Sequence, residues 1–153
     1  MIYDIIVIGG GPAGMTAAIK AKETAPSASV KLIDKNKKLG KKLYATGNGK
    51  CNIANTKLDL SCYSSANEFF PFQFVTTGSH NDVMDFFESL GVSSYDDSGY
   101  IYPASLQAST IVWALTDRLR MLDIENSTSE EVLGVTQEKD GTYIVTTDKG
   151  GSR

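Results

Sequence analysis

The chain has 153 residues, of which 41% are hydrophobic and 22% charged, with a formal charge of −3 and a pI near 5.1. That size and content suit one folded domain with a real core and exclude a disordered chain, while the acidic balance argues against a general nucleic-acid binder. The apolar start at Ile2 has no basic flank and is broken by Asp4 and then glycines, so neither a signal peptide nor a membrane span is expected and the default compartment is the cytoplasm.

Tyr3 to Ile8 is a short run rich in β-branched residues, too apolar for an edge strand and suited to the middle of a parallel sheet. It feeds into Gly9-Gly10-Gly11-Pro12-Ala13-Gly14. That hexad satisfies the dinucleotide fingerprint, with Gly9 for a tight turn, Gly11 for close backbone approach to a pyrophosphate and Gly14 for close helix–strand packing. Pro12 suits the first helical turn, where its missing N–H has no intrahelical partner to lose. The free amides there, with the positive end of the helix dipole, face an anion.

The helix is predicted to lay Ala13, Ala17, Ala18 and Ala21 on the sheet as a face without bulk, and to end at Pro26 and Ser27. The next strand, Val30 to Asp34, puts Asp34 twenty residues beyond Gly14, where a carboxylate accepts hydrogen bonds from a ribose diol and disfavours a 2′-phosphate. NADP is therefore disfavoured at this site. A plain βαβ turn is the bland alternative, and the matched flanking strands weigh against it.

Lys35 to Lys42 reads as a solvated basic loop. Thr46-Gly47-Asn48-Gly49-Lys50-Cys51-Asn52 follows, a loop whose two glycines let the backbone pass close to a flat ligand. Cys51 lacks the partner of a C-x-x-C pair, so it is expected to pack rather than to act in redox chemistry, and Cys51 and Cys62 are expected to be free thiols.

With these motifs in place, the chain resembles the flavoprotein family that includes aminoacetone oxidase and a bile-acid-pathway reductase. Its members carry a glycine hexad, an acidic residue followed by Lys, a Leu-Gly-basic-Lys stretch and a Thr-Gly-x-Gly-basic-Cys-Asn-x-x-Asn loop. These fall here on Gly9 to Gly14, Asp34-Lys35, Leu39-Gly40-Lys41-Lys42 and Thr46 to Asn55. The family usually has Glu at the place of Asp34, Gly at Asn48 and Arg at Lys50, so a bidentate guanidinium contact at the last position is lost.

The resemblance implies an α/β, Rossmann-like FAD-binding domain over residues 1–153, with a three-stranded parallel core sheet, flanking helices and a β-hairpin or meander. It implies FAD contacts at Gly9, Gly11, Pro12, Ala13, Gly14, Asp34, Lys35, Lys41 and Lys42. The isoalloxazine would lie near Thr46, Gly47, Gly49, Lys50, Cys51 and Asn52, and the backbone at Val132 against the adenine. NAD(P)H is the implied electron donor, with a small-molecule substrate and no catalytic residue assigned. Two other readings stay open from the residues alone: an NAD-binding Rossmann domain and a non-catalytic nucleotide-binding module.

Further along, Val83, Phe86, Phe87 and Leu90 recur at helical spacing, with Asn81 as the expected cap, Gly91 as the stop and His80 solvated at the entrance. Tyr95, Tyr100 and Tyr102 flank a turn at Asp96 to Gly99 and read as a hairpin with aromatic cross-strand pairs. Ala108, Ile111, Val112, Leu115, Leu119 and Leu122 form a buried helical stripe opposite a wet face of Asp117, Arg118 and Arg120.

Ile124 to Asn126 is expected to return as the third parallel strand, beside the one ending at Asp34, because a right-handed crossover places it there. Residues 131–136 and 142–147 then form a hairpin about Lys139-Asp140-Gly141. In the family a further parallel strand and a substrate domain follow. The expectation is therefore an N-terminal fragment of a longer flavoenzyme, incomplete relative to the family, inactive alone and binding FAD poorly or not at all, with Gly150-Gly151-Ser152 as a linker remnant and the outer edge of the first strand open.

Overall fold

A computed structural model describes residues 1–57, 60–66 and 79–152. In chain order the elements are β1 (Ile5–Ile8), α1 (Pro12–Thr24), β2 (Val30–Asp34), β3 (Ala54–Asn55), α2 (Ser79–Ser89), β4 (Ser94–Asp97), β5 (Tyr100–Pro103), α3 (Ala108–Met121), β6 (Glu125–Thr128), β7 (Val132–Gln137), β8 (Tyr143–Thr147) and β9 (Gly150–Ser152). They fall into two compact units, Met1–Leu43 with Leu115–Arg153, and Tyr44–Ala114. No helix of the described residues is long and apolar enough to cross a membrane.

In the first unit β1, β2 and β6 form a parallel sheet in the order β1-β2-β6, with Ile5 opposite Val30 and Lys31 opposite Glu125. This is the three-stranded core expected from the sequence, and β6 lies where the right-handed crossover puts it. β2 takes the central place, with Val30, Leu32 and Ile33 buried. β1, whose aliphatic run suits an interior strand, stands instead at one end of the sheet; Ile8 is 52% exposed, and among the described residues nothing pairs with its outer edge.

The face that α1 turns inward is not the alanine stripe. Met15, Ala18 and Ile19 are buried, whereas Ala13 and Ala17 are exposed. Close approach is provided by Gly14 instead, because a Cβ there would run into the Gly9 carbonyl oxygen and stand 3.5 Å from Val7 Cγ1. Three fully buried aliphatic side chains, Ile19, Leu115 and Leu119, add core to this unit. Each contributes roughly 1.5–3 kcal/mol on leaving water.

Two charged pairs in this unit lie outside the sequence reading. Arg118 does not simply face water: its Nε and Nη2 donate to Glu23 Oε1 at 3.2 and 2.7 Å, tying α3 to α1. Lys31, buried in β2, pairs with Glu125 at 3.1 Å and lies 5.2 Å from the Tyr3 ring centroid, while Tyr3 donates to the other Glu125 oxygen at 2.7 Å. A buried ammonium costs several kcal/mol unless it is paired, and Glu125 supplies the pair.

β7 and β8 form the expected hairpin, with a register shift between Val132 and Gly134 and Gly141 at φ +86° in the turn. Gly150 to Ser152 is not a linker in this fold. It is strand β9, antiparallel to β8, with Thr147 opposite Gly150.

In the second unit β4 and β5 pair with Tyr95 opposite Tyr102, and Ser98 and Gly99 both take positive φ, as a two-residue hairpin turn requires. β3 adds to the other side of β5, with Ala54 opposite Ile101. Asn81 lies inside α2 rather than at its cap. At the other end Gly91 is the stop: it sits at φ +78°, its N–H donates to Glu88 O, and Val92 N–H donates to Phe87 O, the paired bonds of a left-handed helix terminus. The α2 stripe is only partly covered, with Val83 37% exposed and Phe86 and Phe87 in an edge contact at 5.3 Å.

Candidate dinucleotide-binding site

The glycine turn of the first unit is built from both sides. Gly9 takes φ +104°, open only to glycine at low cost, and its N–H donates to Ile33 O at 2.8 Å, which continues the β1–β2 ladder to the last residue before the turn. Gly10 is held at both ends of its backbone: its N–H donates to Asp34 Oδ2 at 2.6 Å, and its carbonyl accepts from Gly40 N–H at 2.7 Å. A side chain at Gly10 would collide with Leu39 and sit 3.1 Å from Asp34 Cβ.

Gly11 differs from its neighbours. A Cβ there would meet nothing within 4 Å, so the space above it is open. Gly11 is also the N-cap of α1, without a side-chain capping bond, and the first turn of α1 holds Pro12 and no acidic residue. The leading amides of a helix lack intrahelical acceptors, so this end presents uncapped donors and a positive dipole end to an open surface. An anionic diphosphate fits that donor set.

Asp34 ends β2 with both oxygens engaged. Oδ1 accepts from Asn36 N–H at 2.6 Å and from Asn36 Nδ2 at 2.9 Å, while Oδ2 accepts from Gly10. Burial alone would raise its pKa, but the Asn36 and Gly10 hydrogen bonds outweigh burial and hold it below the usual value. The carboxylate is thus kept ionised and turned toward the glycine turn.

The other first-unit residues expected at the site lie around this pair. Lys35 is ion-paired with Glu131 at 3.3 Å, Lys41 donates to Asn36 Oδ1 at 3.3 Å, and Lys42 is exposed. Val132 begins β7 two residues after Glu130, whose N–H donates to Asp34 O at 3.1 Å. Sequence reasoning passed over Gly10 and Asn36. The spacing of Asp34 and Asn36 was the available signal for Asn36, because an Asp side chain commonly accepts from the amide two residues on, whereas Gly10 is tied to Asp34 across 24 residues and left no local sign.

Thr46, Gly47, Gly49, Lys50, Cys51 and Asn52 lie together in the second unit. Short helical turns between Leu43 and Gly49 break at Thr46, Gly47 and Asn48, and Gly47, Asn48, Gly49 and Cys51 all take positive φ. Asn48, where the resembling family usually has Gly, has φ 53°, a conformation asparagine tolerates better than most side chains. Gly47 is required by packing: a Cβ would stand 2.7 Å from Asn52 N and 3.2 Å from Tyr102 Cε1.

The loop is stapled to β5. Asn52 Nδ2 donates to Ala54 O and Ile101 O at 3.0 and 3.1 Å, and Ile53 N–H donates to Ile101 O at 2.7 Å. Lys50 Nζ sits 6.0 Å from the Tyr102 ring centroid. Cys51 is buried, its N–H donates to Thr46 O at 3.0 Å, and burial pushes its thiol pKa up against a smaller lowering by the Thr46 hydroxyl. A thiol so placed is packing, as its lone position in the sequence implied.

A separate concavity of about 560 Å³ opens beside β1, lined by Ile2, Ile6, Ile8, Val135 and Tyr143 among others. None of the expected site residues lines it.

A parallel β1-β2-β6 sheet, an uncapped helix start over an open glycine and a carboxylate at the tip of the neighbouring strand define a Rossmann-type dinucleotide-binding domain. The chain belongs to the HI0933-like Rossmann-domain family, whose model matches residues 3–153, and with it to the flavin-dependent oxidoreductases that its motifs resemble. It is 36% identical over 126 residues to a 3-dehydro-bile acid delta(4,6)-reductase of Clostridium scindens, covering 82% of this chain and 31% of that protein. It is 29% identical over 140 residues to the ribosomal RNA dihydrouridine synthase of Escherichia coli K12, covering 91% of this chain and 34% of that protein. The chain thus spans about a third of the length of these relatives. Among solved structures, THI4 of Thermovibrio ammonificans shares the fold at a TM-score of 0.64 and 12% identity, over 96% of this chain and 48% of that one.

Proposed function

We propose that this chain is the FAD-holding part of a flavin-dependent reductase. The FAD pyrophosphate sits on the α1 amides above Gly11, with Pro12, Ala13 and Gly14 beneath it, and the adenosine ribose is read by Asp34. The observation that carries this reading is the open space over Gly11 at an uncapped helix start, beside a carboxylate held ionised. Lys35, Lys41 and Lys42 flank the nucleotide, and the Val132 backbone meets the adenine. The loop from Thr46 to Asn52 supports the flavin ring, with the Lys50 ammonium favouring negative charge there.

Bound FAD would supply two-electron redox chemistry, with NAD(P)H as donor. The named activities of the two relatives suggest the substrate class. A delta(4,6)-reductase acting on a 3-dehydro steroid and an enzyme that makes dihydrouridine share one chemical outcome, the saturation of a carbon–carbon double bond conjugated to a carbonyl. The same conversion, on a small carbonyl-conjugated alkene in the cytoplasm, is the activity proposed for the whole protein.

Titration with FAD, followed by flavin absorbance and fluorescence, tests the binding half of this reading. Saturable binding that Gly11→Ala weakens is the expected outcome. Failure of the whole protein to bind FAD, or equally tight binding of NADH in its place, overturns it.

A further inference from the structure

Asn36 has no place among the expected nucleotide contacts, yet more of the site's fixed geometry passes through it than through any of the flanking lysines. Its backbone N–H and its Nδ2 both donate to Asp34 Oδ1, at 2.6 and 2.9 Å. Its Oδ1 accepts from Lys41 at 3.3 Å, and its carbonyl accepts from Ser129 N–H at 2.9 Å. Lys41 has only donors to offer, so the amide cannot flip without setting Nδ2 against an ammonium and Oδ1 against a carboxylate. Donor and acceptor ends of Asn36 are therefore fixed, and so is the side of Asp34 they hold.

Aspartate has two side-chain torsions, and its carboxylate rotates freely unless both oxygens are engaged. Gly10 holds Oδ2 and Asn36 holds Oδ1. One lone pair remains to spare, on Oδ2, since an ionised carboxylate accepts about four bonds and three are used here, two of them at Oδ1. The remaining acceptor direction is thus set by Asn36 before any ligand arrives.

Resting on the reading that Asp34 accepts from the ribose hydroxyls, we infer that Asn36 is the positioning residue that aims Asp34, and that it sets how sharply the site distinguishes a ribose from a 2′-deoxyribose. It acts through Asp34 and leaves the pyrophosphate amides alone. Asn36→Ala removes the Nδ2 bond to Oδ1 and leaves the backbone N–H alone on that oxygen, so the carboxylate is aimed less firmly. Asn36→Asp is the harsher change, because it turns a carboxylate oxygen toward Asp34 where a donor stood.

The test is calorimetric titration of the full chain with ADP, 2′-deoxy-ADP and inorganic pyrophosphate. In the wild type ADP binds more tightly than its 2′-deoxy analogue. In Asn36→Ala the ADP affinity falls about tenfold, the worth of one hydrogen bond to a charged group. The affinities for 2′-deoxy-ADP and pyrophosphate stay unchanged, which also shows that the variant folds. Asn36→Asp loses the preference altogether. If both variants keep the wild-type preference while Asp34→Ala abolishes it, the role of Asn36 is overturned and the ribose reading survives. If Asp34→Ala leaves the preference intact as well, the ribose reading fails and the inference falls with it.

Discussion

The Gly10 amide donates to Asp34 Oδ2 across 2.6 Å, so the residue expected to read the sugar also holds the turn expected to hold the diphosphate. Under the proposed function, one carboxylate thereby couples two subsites. Asp34→Asn replaces an acceptor with a donor that must face either Gly10 or Asn36, both of which donate already. The variant is expected to bind inorganic pyrophosphate more weakly as well as ADP, measured by the same titrations. An effect on ADP alone would show that the turn does not depend on this bond.

That bond also sets a pH dependence. Asp34 has a folded pKa below its unfolded value of about 3.9, so its stabilising contribution is complete at neutral pH and is lost only as pH falls below about 3.9 toward the lower folded value. Chemical denaturation of wild type and Asp34→Asn should show a stability gap at pH 7 that closes under strong acid. A gap that persists there contradicts the assignment.

Gly14 and Gly11 should separate folding from binding. Gly14→Ala drives a methyl into the Gly9 carbonyl and is expected to destabilise the fold by on the order of 1–3 kcal/mol. Gly11→Ala meets only open space at an ordinary φ of −77° and should leave the thermal midpoint unchanged while weakening FAD. Thermal denaturation beside FAD titration reads both.

The two cysteines should differ in reactivity. Cys62 is exposed, while Cys51 is 3% exposed with a pKa raised by burial. Alkylation of the native chain followed by peptide mass mapping should mark Cys62 first and Cys51 only on unfolding. Early modification of Cys51 would mean the loop opens readily.

Lys50 stands over the Tyr102 ring, and under the proposed function its charge favours the reduced flavin. Lys50→Met should lower the reduction potential of bound flavin by on the order of 30 mV, the two-electron equivalent of a tenfold change. Tyr102→Leu, which frees Lys50 to move, should shift the potential the same way by less. Spectroscopic titration against a reference dye of known potential measures each, and an unmoved potential in Lys50→Met removes the residue from the flavin's surroundings.

Legibility from sequence followed the range of the interactions. The run from β1 through the glycine turn to β2 is written locally, in β-branched residues, glycines with separate steric duties and a terminal Asp, and β6 follows from the handedness of crossovers. β3 has two residues, too few to show a period, and β9 is Gly-Gly-Ser, whose pairing comes from the edge of β8 rather than from its own side chains. Ala13 and Ala17 turn outward because Gly14 brings α1 closest, which shifts the buried face to Met15, Ala18 and Ile19. The roles of Arg118 and Asn36 depend on partners and rotamers that spacing does not encode.

The position of β1 at the end of its sheet has a consequence that solvent deuterium would register. Ile5 and Gly9 donate inward, to Ser29 and Ile33, and a strand's period of two then turns the Ile6 and Ile8 amides outward. Those two hydrogens should be replaced quickly, and those of their immediate neighbours slowly, giving a fast–slow alternation along four consecutive aliphatic residues. A segment that docks on that side would erase the alternation, so exchange at Ile6 and Ile8 is a residue-level gauge of whether the sheet has acquired another strand.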